Sequence, residues 1–434
     1  MHEAISQNDL KSWLAQTPQN FKMKTNKTRT TTLRLSTFAV KIIFALLFLQ
    51  SPALCLAKSL YDTAIHPAAA MPEKYIPQLK GLKVALVINQ TSKVGSISLL
   101  DIMLNNGVSV KKIFVPEHGF RGNADAGAHI DNTLDSATGL PVISLYGSHK
   151  KPQAEDLGGI DIVVYDLQDV GVRFYTYIST LQYVMEACAQ NDVKLLILDR
   201  PNPNGFYIDG PVLDTSTRSF VGMQPIPVVY GMTAGEYAKM LQGEGWVAGV
   251  HHLDLKVIPC TGYDHSKKYE LPIPPSPNLR TMAAVYAYPS LCLFEGTVVS
   301  VGRGTSMPFQ QYGSPDLNKT IFPHTFTPQS GPGAKSPPYD GKVCYGEIVG
   351  TDAPEVLRKI NNSICLTWLL KSYSNSPASD KFFTPFFMKL SGTSVLEKQI
   401  ETGTKETEIR ASWLAGLQAF KKIRRRYLLY NDFE

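Results

Sequence analysis

Residues 161–180 read DIVVYDLQDVGVRFYTYIST, and this stretch decides the fold class. It opens on a short apolar run without the polar/apolar alternation of a strand wetted on one face. The polar DLQD then stops the run. From 177 to 190, Ile178, Leu181, Val184, Met185 and Cys188 recur near helical spacing. KLLIL at 194–198 follows, which completes a strand–helix–strand unit. Working outward, residues 83–88 within GLKVALVINQTS, VKKIFV at 110–115 and PVISLY at 141–146 are further short runs rich in Val, Ile and Leu, and 98–106 has a helical pattern. Short, unalternating strands separated by helices predict a parallel sheet covered on both faces. The expected class is therefore α/β: a Rossmann-like, mostly parallel sheet with helices on both faces, followed by a smaller α+β C-terminal domain.

Composition changes after about residue 255, where LPIPPSP at 271–277 and the Pro-rich segments 322–338 and 377–385 appear. Before that boundary, Thr233 and Glu236 are spaced as a capping box at the head of a helix over 233–243. Beyond it, helices are expected near 353–373 and 393–427. The second of these ends in KKIRRR at 421–426, read as a solvated helix end favoured by the dipole. The expected division is 1–57, 58–254 and 255–434.

The whole chain of 434 residues carries a net charge of +6, with 44% hydrophobic and 18% charged residues, which excludes a disordered chain. The charge is concentrated at the front. Residues 1–57 hold seven basic and two acidic side chains, and the remainder is close to neutral, so global charge does not point to a nucleic-acid partner. Directly after Lys41 comes the apolar IIFALLFL at 42–49, broken by Gln50 and Pro52 and followed by Ala57. A basic region, a short apolar core and a small residue predict a secretory signal over 1–57, a secreted or periplasmic bacterial protein, and no stable membrane span after signal removal. Cys188, Cys260, Cys292, Cys344 and Cys365 lack zinc-ligand or CxxC spacing and read as buried thiols.

Three polar clusters fall where predicted strands stop: PEHGFRG at 116–122, DLQDVGVRFY at 166–175 and DRPNPNG at 199–205. In an open parallel sheet, ligands bind outside the carboxyl ends of the strands, so the three clusters are expected to share one crevice. Glu117 is the candidate general acid or base, with His118 a second proton carrier or sugar hydrogen-bond donor. Asp166 and Asp169 could position hydroxyl groups. Arg173, Tyr175 and Tyr177 suit a pocket of ring faces with a charged donor. Farther on, Glu295 precedes SVGRGT at 300–305, where Gly302 and Gly304 flank Arg303 and could present its guanidinium to an anion. No GxGxxG follows the first strand and no phosphate-loop Lys-Ser/Thr pattern occurs, so NAD and ATP are not expected. GxSxG and HExxH are also missing, and no cofactor or metal is expected.

These motifs together resemble the exo-β-N-acetylmuramidase family of bacterial cell-wall recycling, long known as a domain of unknown function. The resemblance rests on NQTS (89–92), VPEHGFRG (115–122), YDLQDVGVRFYTYIST (165–180), LDRPNPNG (198–205), GPVL (210–213), VVYGMTAGE (228–236), LFEGT (293–297), SVGRGTSMPF (300–309) and GTSVLEKQIETG (392–403), and spans about residue 78 to the end. Val298, Val299 and Val301 depart from the more polar surroundings expected of the Gly-Arg loop. The resemblance implies an active cleft in a Rossmann-like domain and hydrolytic release of N-acetylmuramic acid from the non-reducing end of peptidoglycan fragments or muropeptides. It makes Glu117 the leading catalytic candidate, with His118 beside it.

Glycosidases commonly place two carboxyl groups across the scissile bond. Asp166, Asp169, Asp199, Glu236 and Glu295 compete for the second place, unless the substrate's own N-acetyl group serves as nucleophile. The lactyl carboxylate of muramic acid calls for an Arg clamp from Arg121, Arg173, Arg200 or Arg303. Gln168, Asp169, Tyr175, Asn202, Glu236 and Glu295 complete the expected binding set. A non-catalytic muropeptide-binding protein and a metal-dependent hydrolase using His118 and the aspartates are the alternatives.

Overall fold

The structure is a computed structural model, and it describes residues 59–117, 119–120, 132–377 and 379–434. Its main sheet contains β1 (Lys83–Ile88), β4 (Ser109–Val115), β5 (Thr133–Leu134), β6 (Pro141–Ser144), β7 (Ile162–Asp166), β8 (Lys194–Leu198) and β9 (Leu255–Ile258). A small hairpin of β2 (Lys93–Val94) and β3 (Ile97–Ser98) follows β1. The strand order is β5-β6-β4-β1-β7-β8-β9, and every pairing is parallel except that of the edge strand β5 with β6. Without β5, the chain builds outward from β1 to β6 and returns to build from β7 to β9. This is the doubly wound Rossmann order, and its topological switch lies between β1 and β7.

The strands lacked alternation because both faces are dry. Ala85 and Val87 of β1, Val163 and Tyr165 of β7, and Leu195 and Ile197 of β8 enter one hydrophobic layer. Their neighbours Val84, Leu86, Ile88, Ile162, Val164, Leu196 and Leu198 enter the layer on the other side. Successive side chains point to opposite faces, so two buried faces produce a continuous apolar run. The helix Tyr177–Gln190 covers the first layer, and the helices Pro72–Leu79 and Leu99–Asn105 cover the second. Two strands differ from the expectation: the run at 141–146 is a strand only to Ser144, and β9 extends the sheet past residue 254.

The C-terminal part begins with the buried helix Met282–Leu291. It continues through a three-stranded antiparallel sheet, β10 (Gln311–Ser314), β11 (His324–Phe326) and β12 (Cys344–Ile348), with β12 in the centre. Helices Ala353–Ile360, Leu366–Ser374, Pro385–Ser391, Val395–Glu401 and Glu406–Arg424 complete it. The basic run at the last helix end is not wholly solvated, as the sequence suggested. Arg424 is buried, bonded to the Gly231 carbonyl and to both carboxylate oxygens of Asp432. The five cysteines after residue 59 are free thiols, four of them buried and Cys365 half-buried. Among the described residues, no helix is long and apolar enough to cross a membrane. The expected signal at 1–57 lies outside the described residues.

Candidate active site

The switch point of the sheet is closed by the loop after β1. Asn89 Oδ1 accepts from the Thr91 backbone N–H at 2.9 Å and from the Thr91 hydroxyl at 2.6 Å, while its amide donates to Tyr177 Oη at 2.7 Å. Ser92 Oγ donates to the Asp166 carbonyl, and the Gln168 N–H donates to Thr91 Oγ1 at 3.2 Å. The NQTS turn therefore ties the end of β1 to the end of β7 and fixes Tyr177 at the head of the helix Tyr177–Gln190. The Pro275 carbonyl accepts from Tyr175 at 2.8 Å and from Tyr177 at 3.3 Å, so the Pro-rich segment 271–277 works as a brace. Burial pushes both phenols well above their ordinary pKa, which keeps them protonated donors.

Above this layer lies a cavity of about 750 Å³ between the Rossmann-like sheet and the C-terminal part. Glu117, just past β4, lines it, and the Thr176 hydroxyl donates to Glu117 Oε2 at 2.8 Å. On the C-terminal side, Glu295 and Arg303 line it as a pair, with Arg303 Nε 2.6 Å from Glu295 Oε1. The Arg303 guanidinium lies 5.0 Å from the centre of the Phe309 ring. Burial works against its charge, but the Glu295 carboxylate outweighs that and raises its pKa. Positive φ at Gly302 and Gly304 lets the loop turn on either side of Arg303. Aromatic rings form much of the wall: Phe174 and Tyr175 pack edge-on against Tyr288, which packs on Phe309 at 5.0 Å. Tyr146 and Phe220 close another side, with Lys150 and Lys335 as further cations.

Of the residues singled out in the sequence, the structure brings Glu117, Tyr175, Tyr177, Glu295 and Arg303 to this cavity. His118 and Arg121 lie outside the described residues. Eight others are not among its lining, and each has a structural occupation. Asp166 is fully buried in a two-pronged ion pair with Arg200 at 2.5 and 2.9 Å. Gln168 donates to the Asp169 and Pro201 carbonyls. Asp169 accepts from Tyr230 and the Gly171 N–H. Arg173, expected to face an anion, is fully buried and donates to the carbonyls of Pro211, Ile226, Leu390 and Ser391.

Asp199 accepts from Thr233 and Tyr430 at 2.6 Å each and from the Gly235 N–H. Asn202 bonds the Met232 carbonyl and the Asn204 N–H. Glu236 closes the expected capping box with Thr233 and also meets buried His265. Burial raises the pKa of Asp169 and of Asp199 to about 6, against the hydrogen bonds each accepts. Sequence reasoning missed Thr176, Phe220, Lys150 and the wall at Gly333–Pro337. Thr176 lies inside the quoted 165–180 motif and Gly333–Pro337 inside the Pro-rich 322–338, while no local signal marked Phe220 or Lys150.

A doubly wound domain joined to a smaller α+β part, with two carboxylates, Glu117 and Glu295, lining one aromatic cavity, has the parts of a glycoside hydrolase site. The chain is a member of the exo-β-N-acetylmuramidase NamZ family: the family's N-terminal domain matches residues 84–283 and its C-terminal domain residues 286–430. It is 36% identical over 374 residues to the peptidoglycan β-N-acetylmuramidase NamZ of Bacillus subtilis strain 168, covering 82% of this chain and 89% of that one. Two crystal structures of DUF1343 family proteins from Bacteroides fragilis are also similar. One has a TM-score of 0.78 at 47% identity, covering 85% of this chain and 99% of that one. The other has a TM-score of 0.72 at 27% identity, covering 85% and 100%.

Proposed function

We propose that the chain is an exo-acting glycoside hydrolase that releases N-acetylmuramic acid from the non-reducing end of peptidoglycan fragments. The observation that carries the reading is the cavity itself, in a chain of this family: Glu117 is held by Thr176 on one wall, and Glu295 and Arg303 stand on the other. Glu117 gives its proton to the glycosidic oxygen as the bond to the anomeric carbon breaks; water adds its oxygen to that carbon, and the proton it loses passes to a carboxylate of the site, which restores the starting protonation. The Thr176 hydroxyl fixes the rotamer of the carboxyl. Glu295 is the candidate for the second carboxyl of the site. Arg303, steadied by Glu295 and Phe309, is the clamp for the lactyl carboxylate that separates muramic acid from glucosamine. The basic-then-apolar leader supports export, which would put the enzyme where wall fragments are released.

The test is release of p-nitrophenol from para-nitrophenyl N-acetylmuramide. Turnover is expected, and Glu117→Gln should lower kcat by roughly a hundredfold or more while leaving the fold intact. Saturable binding without turnover across pH 4 to 9 would replace the hydrolase by a binding protein.

A further inference from the structure

We propose that a second cavity of about 480 Å³, adjoining the first, is a saccharide subsite for the sugar on the leaving-group side of the cleaved bond; this rests on the hydrolase reading above. The two cavities share Phe220 and Lys150. Phe220 sits at the tip of a tight turn closed by both backbone hydrogen bonds between Ser219 and Gly222, at 2.9 and 3.0 Å. On the first-cavity side its ring faces Tyr146 at 6.3 Å. On the other it stacks on Tyr183 at 6.0 Å with planes 15° apart, and Lys150 Nζ lies 4.8 Å from its centre. The ring is a fixed ridge common to both spaces. An exo-acting enzyme holds only the terminal sugar in its cleavage cavity, so the rest of the glycan must leave through an adjoining space. The ridge marks such a space.

The lining has the chemistry of a sugar site. Tyr183 and Trp246 line it, aromatic rings of the kind on which the C–H face of a pyranose packs. Two amides of the lining are joined in a hydrogen-bonded chain: Gln224 donates to Gln182 Oε1 at 3.0 Å and accepts from Arg218 at 3.3 Å, and Gln182 donates to Glu186 at 3.0 Å. Glu186 is also paired with Lys151 at 3.3 Å, so its charge is compensated within the lining. A neutral N-acetylated sugar fits this combination of aromatic rings and side-chain amides.

The experiment uses calorimetric binding to the full chain carrying Glu117→Gln, with two ligands: N-acetylmuramic acid, and the disaccharide in which it is joined to N-acetylglucosamine. The disaccharide is expected to bind about tenfold more tightly, a gain of the size one good subsite supplies. Adding Trp246→Ala should bring the disaccharide down to the monosaccharide's affinity. Because Trp246 also packs against the core, a second variant is needed, and Ala248→Trp fills the exposed edge of the cavity without removing core atoms. It should give the same loss. In the otherwise unsubstituted chain, both changes should lower kcat/KM for the disaccharide about tenfold.

The subsite is overturned if the disaccharide is cleaved but both variants keep its full affinity and kcat/KM. It is also overturned if the disaccharide binds the Glu117→Gln chain no more tightly than N-acetylmuramic acid does. Failure of the unsubstituted chain to cleave or bind either saccharide would instead bring down the hydrolase reading, and the subsite with it.

Discussion

Asp166 offers the sharpest separation between a catalytic and a structural carboxylate, because motif position alone supports the first and geometry the second. Its side chain is fully buried, and Arg200, 3% exposed, meets it through Nε at 2.5 Å and Nη2 at 2.9 Å. Arg200 Nη2 also reaches the Lys93 carbonyl at 3.4 Å. The pair thus bolts the end of β7 to the loop after β8 and to the hairpin after β1. Replacing one member strands the other charge in a dry site, which costs roughly 3–5 kcal/mol. For a folded unit of this size, that corresponds to a fall in Tm on the order of 5 °C. Asp166→Asn should therefore lower Tm by this amount in scanning calorimetry. Its kcat on para-nitrophenyl N-acetylmuramide, measured well below Tm, should stay within about threefold of the parent, a change of under 1 kcal/mol. The double change Asp166→Leu with Arg200→Met should lose less than the two single changes summed, since it removes both charges together. An Asp166→Asn protein with unchanged Tm and kcat reduced about a hundredfold would refute the structural assignment and return Asp166 to the reaction.

Other outcomes follow from the same geometry. Arg303→Met should lower kcat/KM for the N-acetylmuramide by roughly ten- to a hundredfold, the worth of a charge-assisted hydrogen bond, with Arg303→Lys recovering only part; equal kinetics in all three would remove the clamp. Asp169 and Asp199 have folded pKa values raised from 3.8 to about 6 by burial, so the folded state holds more protons than the unfolded one between those limits. Each then contributes stability that is present below pH 3.8 and lost as pH rises through 6, on the order of 3 kcal/mol. The stability difference between the parent and Asp169→Asn, from urea titrations at pH 4 and 7, should shrink by about that amount; a pH-independent difference would refute the shift. At Gly171, φ is +75° and an added Cβ would meet Asn202 Oδ1 at 2.0 Å. Gly171→Ala should therefore cost about 2–4 kcal/mol in urea unfolding, and an unmoved midpoint would contradict the packing.

The sheet was legible because burial on both faces writes itself into the chain as unbroken Val/Ile/Leu runs. Strands without that burial were not. β5 is two exposed residues, and β9 alternates between half-buried, exposed and buried, so neither forms a run. Polar residues at strand ends were legible as important but not as to purpose. In the sequence, Glu236 is spaced as the capping partner of Thr233 and is equally a carboxylate that competes for a place in catalysis. Only the fold reveals that its oxygens are taken by the Thr233 N–H, His265 and the Leu429 N–H. The cavity wall was least legible, because Phe220, Lys150 and Gly333–Pro337 meet Glu117 only through long-range packing that leaves no local period.

The buried polar motifs nevertheless serve the site, by holding its two walls at a fixed separation. Arg173, from the loop after β7, donates to the Leu390 and Ser391 carbonyls at the end of the helix Pro385–Ser391, and Leu390 itself lines the cavity. Asn204 reaches the Val285 carbonyl in the helix Met282–Leu291, which leads directly to Glu295. Asp209 accepts from the Ile364 N–H and Arg410, and Asp199 accepts from Tyr430 near the chain's end. Each joint crosses from the Rossmann-like sheet to the C-terminal part and is buried or half-buried, where a lost hydrogen bond is expensive and geometry is correspondingly stiff. Glu117 stands on one side of these joints and the Glu295–Arg303 pair on the other. A site assembled from two walls needs their spacing held to within about half an ångström, and apolar packing alone fixes distance less sharply than directional bonds. The polar residues at the strand ends thus support a reaction that only a few of them touch.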